Sequence, residues 1–286
     1  MEDEVGMADV RGENVSRVVK VMAEEEFKFK QILMLAGSNN WTETYYQEDP
    51  TELTATGETA DVGDVARGAS FPNVDASWTK VSTTHKKWGD EATIFMEDVL
   101  TDAIDVKART VRKVARAIAS DFDAYTYSTL SSDASINTAA AVATWDNATV
   151  ASRDPIRDIL VGIQYMAVDN YDFLQNGYIL LAPKNYTDLL MNSKVVNNPS
   201  FKTADVVSNG VVGQICGGKL IVSPNVTADE VLMVIGQRAA TYKSAVEMSS
   251  NVDYDAGIKY TIRSWMIGHV EVTDPEAIHK ITNVDT

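Results

Sequence analysis

The sequence predicts an α+β chain, and three features carry that reading. A helical stripe runs unbroken over about 97–130, and apolar runs of strand length alternate with helix-start signals over about 151–239. Threonine-rich alternation punctuated by glycine fills much of 41–89, and extended patterning returns after 240. With 286 residues, 45% hydrophobic and 23% charged, the chain can bury a core in about one large or two modest domains.

The first segment is acidic and helical. From Asn14, the positions Val15, Val18, Val19, Met22, Phe29, Ile32 and Leu33 recur at mostly three- and four-residue steps. Glu24, Glu25 and Glu26 interrupt the stripe, and Gly37 supplies a C-terminal stop. From about Trp41 to Gly89, the run Thr51 to Thr59 and then Trp78-Thr79-Lys80-Val81-Ser82-Thr83-Thr84 predict a long two-stranded excursion. A free hairpin is marginal in water, so this one needs a neighbour to lie on.

The clearest element follows. Ile104, Ala108, Val111, Ala115, Ile118, Phe122 and Tyr125 succeed one another at alternating four- and three-residue steps, which is one continuous helical face. At 1.5 Å per residue the helix spans about 50 Å. Glu97, Asp98 and Asp102 suit the positive end of its dipole, and Arg109, Arg112, Lys113 and Arg116 form a basic band. No glycine or proline interrupts it, so no kink is expected.

After the small-residue stretch 131–143 the pattern becomes α/β. Asp154-Pro155 pairs an N-cap carboxylate with proline at the first helical position and opens a helix from Ile156 to Tyr171. Tyr178 to Ala182 reads as a buried strand, and Pro183 starts a second helix through Tyr186, Leu189, Leu190 and Met191. Lys219 to Ser223 and Val231 to Ile235 are two further buried strands. In the tail, Tyr242 to Met248, Ile258 to Gly268 and His269 to Val272 read as separate strands, with turns at Ser249-Ser250-Asn251 and at Gly268. Asp274-Pro275 begins a short closing segment.

Composition removes several function classes. No apolar run approaches the roughly 18 residues of a membrane span, and Met1-Glu2-Asp3-Glu4 is the reverse of a basic signal-peptide start, so a soluble protein is expected. The lone Cys216 excludes an internal disulfide framework and any cysteine-rich zinc site. A net charge of −16 argues against nucleic-acid binding over the whole surface, although a basic stripe can still face a polyanion.

The search for chemistry is equally restrictive. Gly210, Gly213, Gly217 and Gly218 lack the Lys-Ser/Thr of a phosphate loop and precede a strand rather than a helix. His85, His269 and His279 lie far apart in sequence, and no pair has the spacing of a zinc hydrolase. Cys216 reads as a packed residue at a strand edge, and Asp253 with Asp255 as solvated acids beside a turn. No catalytic residue, cofactor or metal is assigned, and no enzyme activity is expected. Two charge features remain. Trp78, Lys80, His85, Lys86 and Lys87 lie on or near the predicted hairpin, while the first 66 residues hold 15 acidic and 5 basic side chains. Such patches on different segments can pair between copies of the chain.

The order of parts, more than any motif, resembles a known family: the major capsid proteins of tailed double-stranded DNA viruses, with the Hong Kong 97 phage capsid fold. The resemblance covers almost the whole chain. It is carried by Val111 to Ala119 through Phe122-Asp123, by Gly177 to Pro183, by Gly213 to Ser223, and by Val272 to Ile278. It implies an N-terminal arm over 1–44, an extended E-loop over 45–92, a peripheral domain over 93–150 and 240–286 with a spine helix near 97–130, and an axial domain over 151–239. It also implies hexamers and pentamers that close an icosahedral shell on packaged double-stranded DNA. A scaffolding protein, a portal and decoration proteins would be the further partners, with assembly in the host cytoplasm and no membrane. On this reading Trp78, Lys80, His85, Lys86 and Lys87 are inter-subunit contact candidates, and the spine-helix band faces the genome or neighbouring acids. An encapsulin-like nanocompartment shell, which packages protein cargo, shares the same architecture.

Overall fold

A computed structural model describes residues 12–48, 67–68, 78–101, 106–192, 195 and 211–285. Asp102, Ile104, the 51–59 run and Gly210 lie outside the described residues. The order is α1 (Gly12–Glu26), β1 (Met34–Gly37), β2 (Thr42–Glu48), β3 (Trp78–Thr84), β4 (Lys86–Phe95), α2 (Met96–Thr101) and α3 (Val106–Ser132). There follow β5 (Asn137–Ala140), α4 (Pro155–Val168), α5 (Phe173–Asn176), β6 (Gly177–Leu181), α6 (Pro183–Met191), β7 (Val211–Ile215) and β8 (Gly218–Val222). The chain closes with β9 (Glu230–Ile235), β10 (Ala240–Asp255), β11 (Lys259–Val272) and β12 (Ile278–Thr282). None of the described helices is long and apolar enough to cross a membrane.

The chain divides into two compact units. The first takes residues up to Glu43, then Thr83–Thr129 and Thr241–Glu271. Its sheet has the order β1-β10-β11-β4, with β1 parallel to β10 and β4 antiparallel to β11. The helical face of α3 is as its period demands: Val111, Ala115, Ile118 and Phe122 are buried, joined by Val114 and Ala119. Phe122 is the centre of an aromatic cluster, edge-on to Phe27, Trp88 and Tyr242 at centroid distances of 5.3, 5.4 and 5.0 Å.

Three sequence expectations change in this unit. The first helix stops at Glu26, and the apolar residues after it form a single 3-10 turn and then β1, so Gly37 ends a strand and not a helix. The cause is Asp123, whose carboxylate takes the N–H groups of Lys28 and Phe29 that a longer helix would have bonded internally. Residues 86–92 are not part of a free excursion, because β4 pairs along β11 from Lys86 to Phe95. The tail strands are also longer than expected. Ser249-Ser250-Asn251 and Gly268 lie inside β10 and β11, and the turn falls at Gly257, where φ is +74°.

The second unit takes Thr44–Ser82, Leu130–Ala240 and Val272–Thr286. Its six-stranded sheet has the order β5-β12-β9-β6-β8-β7, and β6 is buried along its whole length. β12 lies antiparallel to β9 and parallel to β5, so the closing segment belongs to this sheet and not with the return strands β10 and β11. Asp154 caps α4 as its sequence requires, accepting from the Arg157 N–H at 3.4 Å. Asp158 then accepts from the indole N–H of the buried Trp145 at 3.0 Å. Cys216 is a turn residue and not a strand-edge one: with φ of +48° beside Gly217 at +85°, it forms the tight connection between β7 and β8.

Candidate functional site

The first unit brings together side chains that the sequence keeps far apart. His269 and Glu271 are two residues apart on β11, which puts both on one face of the strand. His85 is the single residue between β3 and β4, Lys243 lies on β10, and Ser38 and Glu43 flank the turn from β1 into β2. Together these six close a ring. His269 Nε2 lies 2.7 Å from Glu271 Oε1, and His269 Nδ1 lies 3.0 Å from His85 Nδ1. His85 Nε2 lies 2.9 Å from Ser38 Oγ, whose hydroxyl donates to Glu43. Lys243 Nζ closes the circuit, 2.6 Å from Glu43 Oε2 and 3.2 Å from Glu271 Oε2.

The electrostatics of the ring follow from burial and pairing. His269 and Glu271 are buried completely, and His85 is 4% exposed. The ammonium of Lys243 and the hydroxyl of Ser38 hold the Glu43 carboxyl below the usual carboxylate range. Burial, followed by the charge of His269, pushes His85 below the ordinary histidine range. For Lys243, burial opposes the charged form, but Glu43 and Glu271 outweigh it and raise its pKa. Glu43, His269 and Glu271 each offer one ligand-type atom, all within 4.8 Å of one another. Lys243 already bridges both carboxylates there, so the cluster is a closed ion-pair network and not an open coordination shell.

The residues singled out from the sequence divide sharply. Trp78 is 58% exposed, and Lys80, Lys86 and Lys87 are exposed on their strands. The Lys86 ammonium lies 4.1 Å from the Tyr125 ring centroid. His85 is a correction: it is packed between Trp41 and His269, so it has no surface to offer a second subunit. Arg109, Arg112, Lys113 and Arg116 lie on the exposed side of α3. Arg116 is spoken for by Glu26 of α1, with contacts of 3.1 and 2.7 Å. Asp253 is also engaged and not merely solvated, since Arg263 pairs with it and, at 2.5 Å, with Glu91. His279, buried in the second unit, stacks on Tyr165 and is pushed down to about 4 by burial.

The sequence signal for the ring is slight. The His269-x-Glu271 alternation is visible, but the arrival of His85 depends on the register of β4 against β11, in which Lys86 lies opposite Gly268. Gly268 serves the other side of the ring, where its missing side chain lets β10 with Lys243 pack close against β11. A Cβ there would stand 2.6 Å from the Tyr242 ring and 2.7 Å from the Lys243 carbonyl oxygen.

Comparison with known proteins places this architecture. Against the capsid structure of the cyanophage P-SCSP1u the TM-score is 0.65 at 13% identity, over 90% of this chain and 88% of that one. Against the virus-like particle from Pyrococcus furiosus it is 0.64 at 12% identity, over 94% and 98%. The mature capsid of bacteriophage PhiM1 gives 0.61 at 14% identity, over 90% and 86%. No curated protein sequence matches. The fold is the Hong Kong 97-type capsid fold, carried here by the long α3, the four-stranded sheet and the six-stranded α/β unit. The family model described as phage capsid protein matches residues 78–281, from the first residue of β3 almost to the end of β12. A family-model match over that much of the sequence, on a fold shared over at least 90% of the chain with these capsid and particle structures, makes this chain a member of the phage capsid protein family.

Proposed function

We propose that the chain is a major capsid protein that assembles with itself into hexamers and pentamers and closes an icosahedral shell around a double-stranded DNA genome. The family match over residues 78–281 is the observation that carries this reading. The role is structural, and no residue is assigned to catalysis. Trp78, Lys80, Lys86 and Lys87 present exposed aromatic and cationic side chains suited to an acidic segment of an adjacent subunit. Arg109, Arg112 and Lys113 are the free part of the basic band, since no ion pair among the described residues engages them, and they suit a phosphate backbone or a neighbouring carboxylate. A scaffolding protein, a portal and decoration proteins are the other partners proposed, with assembly in the host cytoplasm.

The test is electron microscopy of the purified full-length protein, with and without scaffold, combined with nuclease protection of particles from the native source. Closed shells holding protected double-stranded DNA are expected. Shells filled with protein cargo would assign the encapsulin-like role instead, and persistent failure to form particles with scaffold present would overturn both.

A further inference from the structure

The ring of Ser38, Glu43, His85, Lys243, His269 and Glu271 does not close on hydrogen count alone. Lys243 serves Glu43 and Glu271 with its own hydrogens. The other arc runs from Glu271 through His269, His85 and Ser38 to Glu43 and has four links, each needing one hydrogen. Both ends of that arc are carboxylates, which only accept. Two neutral imidazoles and one hydroxyl supply three hydrogens. The fourth requires an imidazolium, and its charge completes a balance of two carboxylates against one ammonium and one imidazolium. The carbonyl oxygens of Asn40 and Gly268 also face the His85 ring, so its surroundings offer further acceptors.

We propose that the His85–His269 pair holds one shared proton, and that this proton is a pH-dependent latch fastening the turn between β1 and β2 to the β10–β11 sheet. Loss of the proton leaves three hydrogens for four links. The fully buried His269–Glu271 link keeps its hydrogen, His85 then donates to His269, and the bare Nε2 of His85 faces a Ser38 hydroxyl already committed to Glu43. The unsatisfied link is thus the one on the turn, and the turn loosens. A second proton is resisted, because it would place two imidazolium nitrogens 3.0 Å apart in a buried site. Burial, and after it the charge of His269, disfavour charging His85, which agrees with the resistance to a second proton. The position matters because the chain leaves the first unit immediately after Glu43 and Glu271, and His85 and Lys243 are each the third residue after it returns.

Hydrogen–deuterium exchange of the full-length protein, corrected for intrinsic rate, tests the latch between pH 5.5 and 8.5. Protection of the 38–47 amides is expected to fall at least about tenfold as pH rises through the histidine range. Glu271→Gln makes the sharper prediction. Its amide can donate to His269 and still accept from Lys243, so every link closes with both histidines neutral and protection should become independent of pH. A flat wild-type profile, or an unchanged drop in Glu271→Gln, overturns the proposal. Nitrogen-15 spectra of the histidine rings in the wild type need no variant: one imidazolium for the pair at pH 6 is expected, and two neutral rings would refute the latch. So would a protection change that follows added zinc at constant pH.

Discussion

Asp123 of α3 holds the backbone of Phe29 across 94 positions of sequence, with Oδ1 3.2 Å from the Phe29 amide nitrogen while Oδ2 receives the Lys28 N–H at 3.0 Å. The carboxylate is buried, and its two acceptors end the first helical run and turn the chain into β1. Asp123→Ala strands both N–H groups and is expected to cost about 3 kcal/mol in denaturant unfolding. Asp123→Asn, which keeps one acceptor, should cost about half as much. A loss below about 0.5 kcal/mol for the alanine variant would show that water reaches the Lys28–Phe29 turn.

Two buried groups oppose each other in their pH dependence. His279 is pushed down to about 4 by burial, and neither ring nitrogen has a hydrogen-bond partner among the described residues. Between pH 4 and 6.5 the unfolded chain therefore binds the extra proton, and stability is lost as pH falls, by about 3 kcal/mol at the limit. Asp123 is pushed up to about 6, chiefly by burial. In the folded state it keeps its proton where the unfolded chain has lost it, so its contribution is present in acid and lost as pH rises through 6. The two nearly cancel between pH 4 and 6. Asp123→Asn should uncover a decline toward acid, and His279→Leu a decline toward neutrality, read from unfolding midpoints at each pH.

Gly268→Ala places a methyl group against Tyr242 and the Lys243 backbone, one residue from His269. The backbone carbonyl cannot swing aside as a flexible side chain does, so a cost of about 2 kcal/mol is expected in thermal or denaturant unfolding. Gly257→Ala tests the other kind of glycine. It has open space but a φ of +74°, so about 1 kcal/mol, all of it backbone strain, is expected.

Lys86 and Lys87 separate folding from assembly. Both are exposed on β4, and the loss of the Lys86 contact with the Tyr125 ring should limit the stability cost of the double change to glutamate to about 1–2 kcal/mol, leaving the subunit folded. If they meet acidic segments of other subunits, sedimentation should show capsomers or monomers in place of shells. Normal shells from a well-folded double variant would remove these lysines from the interface.

Legibility from sequence followed the range of the forces involved. The α3 face was readable because Val111, Ala115, Ile118 and Phe122 obey a local period, and β6, β8 and β9 because strands buried on both faces are continuous apolar runs. Asp154-Pro155 carried its own start signal. Met34–Gly37 was not readable as a strand. Four residues have too little period to distinguish strand from helix, and the partner Thr241–Ser244 lies some two hundred positions away. The same limit hid the His85–His269 contact and the place of β12, since both depend on strand register and order. A histidine's surroundings are decided by which strands pair, and neither residue's neighbours in sequence encode that.

The first unit is stitched from three separate stretches of chain, the last of them Thr241–Glu271. Two of its four strands, β10 and β11, come from that last stretch, and β1 and β4 have no sheet to join until it exists. On a ribosome working from the N-terminus, α1 and α3 emerge long before the strands they must cover, and the unit can close only after synthesis has passed Glu271. A chain terminated before Ala240 therefore lacks the middle of this sheet. Truncated products would be left unfolded for the cell's proteases, and only finished subunits would be competent to enter a shell in which one defective copy is surrounded by sound ones.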